Sequence, residues 1–354
     1  IVPYDALVRY TSKYKGENHI RDDELGNIIA NFRNILGTDG QLLILLDSCH
    51  SGSASRGGKA RGGEATFAPP GWTPNESTIS EGSGLLETTK VNENAAPFVM
   101  LSGASADELN YEYEGYGSLS FAFSKAMNDL GNDFTYRQLF SKIATNMNII
   151  SPKQTPTIEG DADYKLFKGE YVVQQPYFEI NQIIRPDVIK INAGKLQRLF
   201  KDTTIKIFPE GTINTDDVTE LGTGYITKSN FNEAIIKLNA PLETTNAKAY
   251  WVFVDQATYG EIALRVFFDS SASDTNLIQG VTDFLDENKL GTVVTEMEDA
   301  EVIISMENGN HILNTAKGID GFNSSDSSRG GEAISDLNNK LFNYAQGNYL
   351  KNLS

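Results

Sequence analysis

Between residues 22 and 36 the apolar side chains Leu25, Ile28, Ile29, Phe32 and Ile35 recur at helical spacing, and Gly37 supplies a stop. The pattern then changes. Residues 42–46 form an unbroken aliphatic run bounded by Gly40 and polar residues, which predicts a strand buried on both faces of a parallel sheet. A second apolar run over 97–103 ends in small residues and reads as another strand. Two helices should follow. One spans 118–130 and stops at Gly131; the other opens on a capping box from Thr135 to Gln138, with Leu139, Ile143 and Met147 on one face. Helices alternating with aliphatic strands are the grammar of an α/β sheet. Residues 154–160 carry the proline and glycine of a loop that ends this domain.

Beyond residue 170 the periodicity turns to that of β-structure. Residues 204–208, 222–226, 233–238 and 250–254 read as strands separated by turn residues, predicting a small β-barrel or β-sandwich over 171–259. A last unit, 260–354, reads as α+β: strands at 262–268 and 300–305, a helix over 277–288, and a terminal helix with Ile334, Leu337, Leu341 and Tyr344 on one face. His311 stands alone in this half and is expected at the surface or in a local hydrogen bond.

Residues 53–94 interrupt the first domain with a stretch rich in Gly, Ser, Thr, Glu and Pro. A loop of that length inside a compact domain is uncommon unless it has a function of its own, so it reads as an exposed insertion. Immediately before it, the 42–46 strand runs into Asp47, Ser48, Cys49, His50, Ser51 and Gly52. These polar residues cannot continue a buried strand, and function in open α/β sheets collects beyond the carboxyl ends of strands. Cys49, the sole cysteine, is therefore a candidate nucleophile, since thiolate attack needs an accessible sulfur on a rigid support.

The string from Asp47 to Gly52 resembles the nucleophile segment of metacaspases and bacterial caspase-like cysteine peptidases. Other landmarks of that family follow in the same order: the segments from Val2 to Asp5, Asp22 to Leu25, Ser102 to Glu112, Gly117 to Phe123 and Gln154 to Pro156. The resemblance reaches from Val2 to Phe167. It implies a caspase-like α/β/α sandwich over 1–168, ahead of the small β-rich and α+β domains read from the pattern, and a cysteine endopeptidase that cleaves after Arg or Lys. Asp47 lies two residues before Cys49, so in extended geometry both side chains project to one side, and a carboxylate suits a cationic substrate side chain. In the family this position and an acid at the place of Asp107 line the basic-residue pocket; Glu108 or Glu112 could stand in for the latter. Arg56, Lys59 and Arg61, with Lys90 more distant, are the residue types such a pocket accepts, which makes 53–94 a candidate self-processing segment.

Asp5, Asp22 and Asp23 match carboxylates that form a calcium site in some metacaspases, and hard oxygen ligands suit calcium. A further acid of that site is replaced here by Arg56, so no cofactor is expected to be required. The general base is the missing piece. Of His19, His50 and His311, His50 diverges from the adjacent Cys49 and His19 lacks the Gly-rich surroundings of the family's base. The family order places that histidine before Val2, so the base is expected upstream of Ile1, with the chain's own N-terminal fragment as a candidate partner. The alternative is a catalytically silent caspase-like scaffold whose C-terminal β domains bind a partner.

Composition narrows the remaining classes. At 354 residues there is room for two or three cores, and the net charge of −17 argues against a nucleic-acid surface while favouring basic peptides. No run approaches the roughly 20 apolar residues of a membrane span. One cysteine excludes an intrachain disulfide framework and leaves the compartment open, with the cytoplasm favoured.

Overall fold

Helix α1 (Asp22–Leu36) leads into strand β1 (Leu42–Leu46), and β1 pairs in parallel with β2 (Phe98–Ser102), Leu42 opposite Phe98 and Leu46 opposite Ser102. A two-residue pair, β3 (Glu112–Tyr113) with β4 (Tyr116–Gly117), precedes helices α2 (Ser118–Leu130) and α3 (Tyr136–Ile150). Strand β5 (Thr157–Gly160) then returns antiparallel to β2. The computed structural model behind this account describes residues 4–7, 9–48, 67, 69, 91–105, 108–216, 218–315, 322–326 and 330–351, without the side chains of 22, 23, 261 and 322–326. The chain divides into two compact units. The first holds Ile1–Pro176 with Pro209–Thr219 and Asn246–Trp251; the second holds Tyr177–Phe208, Glu220–Thr245 and Val252–Ser354.

In the first unit the sheet order is β1-β2-β5, which makes β2 central among the described residues. Its five residues are all buried. Val99 and Leu101 point to one side and join Leu119, Ala122 and Ala126 of α2 and Leu139, Ile143 and Met147 of α3 in one core. On the other side Arg33 of α1 stacks its guanidinium 4.5 Å from the ring of Phe98 and donates through Nε to the Ala96 carbonyl at 2.8 Å. Helix α1 thus reaches the start of β2 through Arg33, on the side away from α2 and α3, in a mixed α/β arrangement. The capping box expected at Thr135 is present, with the Thr135 hydroxyl accepting from the Gln138 amide at 3.1 Å.

Two expectations need correction here, for strand β1 and for residues 157–160. Strand β1 is not buried on both faces: it lies at the sheet margin among the described residues, and Leu45 is 36% exposed. Helix α1 buries Ile29 and Ala30, held to the sheet beside Arg33, while Ile28, Phe32, Ile35 and Leu36 face outward. Periodicity identified the helix, yet the clamp at Arg33 selects which of two apolar stripes is covered. Residues 157–160 are a strand rather than loop; Gly160, at φ +94°, brings its Cα so close to the Phe98 carbonyl that a Cβ would sit 2.2 Å from that oxygen.

The second unit contains a closed barrel. Strands β6 (Phe178–Arg185), β7 (Val188–Ile191), β8 (Thr204–Pro209), β9 (Gly222–Ser229), β10 (Ala234–Leu238) and β11 (Tyr250–Gln256) close in the order β10-β7-β6-β11-β8-β9. Burial alternates along the strands: Ile205 and Ile207, Ile189 and Ile191, and Ala234, Ile236 and Leu238 are buried while intervening residues are polar or half-buried. A second sheet in the same unit runs β13-β12-β14-β15-β16, with β12 at Leu264–Phe268, β13 at Gly291–Val293, β14 at Val302–Glu307, β15 at Asn310–Thr315 and β16 at Phe322–Asp326. Helices α4 (Thr275–Glu287) and α5 (Gly331–Lys351) pack Leu277, Val281, Leu337 and Leu341 into its core, which also takes in Phe200.

His311 is buried rather than at the surface. It is on β15 opposite Met306, only 4% exposed, and among the described residues neither ring nitrogen has a hydrogen-bond partner. Burial holds its pKa below the ordinary 6.5, against a smaller opposing pull from the Asp274 carboxylate. Because the folded pKa is depressed, its stabilising share is complete above pH 6.5 and is lost as the pH falls, when the unfolded chain takes up a proton that the folded one resists. Unfolding free energies measured by urea from pH 8 to 5 should therefore drop more steeply for the unmodified protein than for His311→Phe; parallel curves would show that this ring is not titrating against the fold.

Candidate active site

The carboxyl end of β1 places Asp47 where the chain leaves the sheet, and the end of β2 is tied to it by a 3.0 Å hydrogen bond from the Gly103 amide to the Leu46 carbonyl. Asp47 is half-buried and its carboxylate is held on both oxygens. Oδ1 accepts from Asn110 Nδ2 at 2.6 Å; Oδ2 accepts from the Ser120 amide at 3.0 Å and the Ser120 hydroxyl at 2.6 Å.

The reason for the second contact lies in α2. Its N-cap is Gly117, which has no side chain to offer, and its first turn contains no acid. The amide of Ser120 is one of the helix-start N–H groups without an intrahelical acceptor, at the positive end of the helix dipole. Asp47 supplies the missing acceptor from across the sheet.

Asn110 is fully buried, and the space for its amide exists because Gly103 has no side chain: a Cβ there would lie 3.0 Å from Asn110 Oδ1. Gln154, also buried, donates through Nε2 to the Gly103 carbonyl at 2.9 Å and to Asn110 Oδ1, and accepts at Oε1 from the Tyr111 amide at 3.1 Å and from the Ser151 hydroxyl. Nearby, Glu108 accepts from the amide and hydroxyl of Thr155 at 2.6 and 2.8 Å and from the Ser105 amide at 3.3 Å. Glu108 is thus engaged in pinning the 103–110 loop to Thr155.

These contacts join four separated stretches of chain at one carboxylate: Asp47 after β1, Asn110 between β2 and β3, Ser120 at the start of α2, and Gln154 after α3. Asn110, Ser120 and Gln154 had no role assigned from sequence. The available signal was the amide side chains at 110 and 154, placed where short loops leave apolar elements and where a buried amide must find partners.

The other candidates are distributed differently. Cys49, Asp107, Arg56, Lys59 and Arg61, with His50 and Lys90, lie outside the described residues, as does nearly all of 53–94. His19 contacts the Leu7 carbonyl through Nε2 at 2.9 Å, and its ring centroid is 4.2 Å from that of Phe67. Asp5 is exposed, and both its carbonyl and its carboxylate accept from Asn18 Nδ2, at 3.0 and 3.2 Å. Asp22 and Asp23 open α1, with Arg21 as N-cap, and their side chains fall outside the description. Among the described residues no group of three or more His, Cys, Asp and Glu forms a metal-ligand set. Nor is any described helix long and apolar enough to cross a membrane. No protein-family model matches this chain, and no curated protein matches it.

The capping contact predicts a stability effect separate from any activity. Hydrogen bonds to a charged group contribute about 1.5–3 kcal/mol, so Asp47→Ala should lower unfolding free energy by that order, and Ser120→Ala by less. Denaturant unfolding of the two variants checks this; an unchanged Asp47→Ala would mean that the carboxylate does not support the start of α2.

Proposed function

We propose that this chain belongs to a cysteine endopeptidase of the metacaspase-like kind, cleaving after Arg or Lys, with Cys49 as nucleophile and Asp47 as the carboxylate that receives the basic side chain. One observation carries the reading. The segments that resemble family landmarks (around Asp47, Ser102 to Glu112, Gly117 to Phe123 and Gln154 to Pro156) are linked through side chains, Gln154 by way of Asn110, to the Asp47 carboxylate, two residues before the lone cysteine. Segments separated by tens of residues are thereby committed to holding one acid at the mouth of a strand, which supports a caspase-like sandwich for this part of the chain.

In the proposed chemistry a histidine takes the Cys49 thiol proton and the thiolate attacks the scissile carbonyl carbon. The imidazolium returns that proton to the departing amine, and water releases the acyl group from sulfur. His311 is buried in the second unit, His19 is engaged at the Leu7 carbonyl, and adjacent side chains on an extended chain diverge, which makes His50 a poor partner for Cys49, so the base is proposed to come from outside these 354 residues. Arg56, Lys59 and Arg61 are the proposed self-processing positions. Protein or peptide chains bearing Arg or Lys are the proposed substrates, drawn to a protein of net charge −17.

The natural full-length protein tests this. Cys49→Ala should abolish cleavage of Arg and Lys peptides. Removing one partner of a buried charge pair costs about 3–5 kcal/mol, so Asp47→Ala should cut kcat/KM at least ~100-fold. Cleavage after Asp, or undiminished turnover by Cys49→Ala, would overturn the assignment. N-terminal sequencing of the active preparation should find new termini after Arg56, Lys59 or Arg61 that are missing in Cys49→Ala; a single uncut, fully active chain would remove self-processing from the proposal.

A further inference from the structure

We infer that Asn110 and Gln154 form a directional relay that positions Asp47 to receive a cationic side chain; the inference rests on the reading of Asp47 given above. The direction is set at the far end of the relay. A backbone N–H can only donate and a backbone carbonyl can only accept. Gln154 must therefore turn Oε1 to the Tyr111 amide, 3.1 Å away, and Nε2 to the Gly103 carbonyl, 2.9 Å away. In that orientation Nε2 also donates to Asn110 Oδ1, which leaves Asn110 to present Nδ2 to Asp47 at 2.6 Å. The two amide orientations, ambiguous for an isolated Asn or Gln, are decided here by main-chain groups.

Both amides are buried, at 0% and 4% exposure, so solvent does not compete for their bonds. From the opposite side Ser120 donates to Oδ2 through its amide and its hydroxyl. The Asn110 and Ser120 donors are neutral. They orient the carboxylate without cancelling its charge, whereas an arginine in their place would satisfy the geometry and remove the attraction for a substrate cation. A carboxylate already held in one rotamer also loses less conformational freedom when a guanidinium docks. Asn110 and Gln154 are thus positioning residues, acting through Asp47 without touching the substrate.

Gln154→Glu separates this role from packing. The new side chain has nearly the same shape, lies beyond Asn110, and when ionised cannot donate to Gly103 or Asn110. Asn110 then turns its NH2 toward the new carboxylate and its carbonyl oxygen toward Asp47. Binding of agmatine, an alkyl guanidinium, would be measured by calorimetry on the natural full-length protein carrying Cys49→Ala, and KM and kcat on Arg peptides with the same protein and Cys49 intact. Asn110→Ala and Gln154→Glu should each raise the agmatine Kd and the KM about 10-fold, the equivalent of one hydrogen bond to a charged group, with kcat changed less than about 2-fold. Lowering the pH toward about 5 should shrink the Gln154→Glu defect relative to the parent, because a buried carboxyl takes up a proton there and donates again; the Asn110→Ala defect should persist.

Agmatine affinities equal to the parent's in both variants, a Gln154→Glu defect that ignores pH, or no agmatine binding by the parent would each overturn the relay. A parent that binds agmatine yet cleaves no Arg or Lys peptide would overturn the peptidase reading instead, and the variants' agmatine constants would still decide the relay.

Discussion

The carboxylate of Asp47 carries a double load in the first unit. It completes the start of a helix whose own N-cap is glycine, and it terminates a chain of buried amides that begins at the backbone of Gly103 and Tyr111. Removing an acceptor from such a network strands several donors together, since buried polar groups are costly mainly when left unpaired. The constraint also explains local sequence around it. Gly103 gives room to the Asn110 amide, Ser120 offers two donors where one helix amide needs an acceptor, and Gln154 follows α3 where it reaches both the Gly103 carbonyl and the Tyr111 amide.

That dependence bears on how an acid at this position works. An exposed carboxylate on a loop would be screened and would sample several rotamers. Asp47 is oriented from both sides by the neutral donors of Asn110 and Ser120, while β1 behind it is aligned residue by residue with the buried strand β2, central among the described residues. A rigid sheet with a polar residue at its carboxyl end is the general architecture for a site in α/β proteins. Glu108, by contrast, spends its oxygens on Thr155 and Ser105, so one of the two stand-ins for Asp107 serves the loop itself.

The second unit is organised differently, by apolar burial and cation–aromatic contacts. Phe200, from the barrel's β7–β8 connection, enters the core formed by α4, α5 and the second sheet. Arg198, at φ +63°, places its guanidinium 4.5 Å from the Phe342 ring, and the Lys195 ammonium lies 5.0 Å from the centre of Tyr349. Within this unit His311 is the exception, a buried titratable ring with no partner for either nitrogen among the described residues.

Much of the local structure was legible from pattern alone. Helical spacing located α1, α2 and α3, the capping box located the start of α3, and the aliphatic runs located β1 and β2, because these signals depend on a few neighbouring residues. Alternation beyond residue 170 indicated a β-rich domain, and the motif after β1 singled out Asp47 beside Cys49. What the tertiary structure alone decided were matters of partnership. Whether β-strands close as a barrel or stack as a sandwich depends on which edges meet, and that is not written in any one strand. Which stripe of α1 is buried depends on Arg33 reaching Ala96 and Phe98, more than sixty residues away. The burial of His311 depends on strands β14 and β16 on either side of it. The meeting of Asp47, Asn110, Ser120 and Gln154 is of the same kind: each is an ordinary polar residue in its own segment, and only the folded chain brings their complementary donors and acceptors within hydrogen-bonding distance.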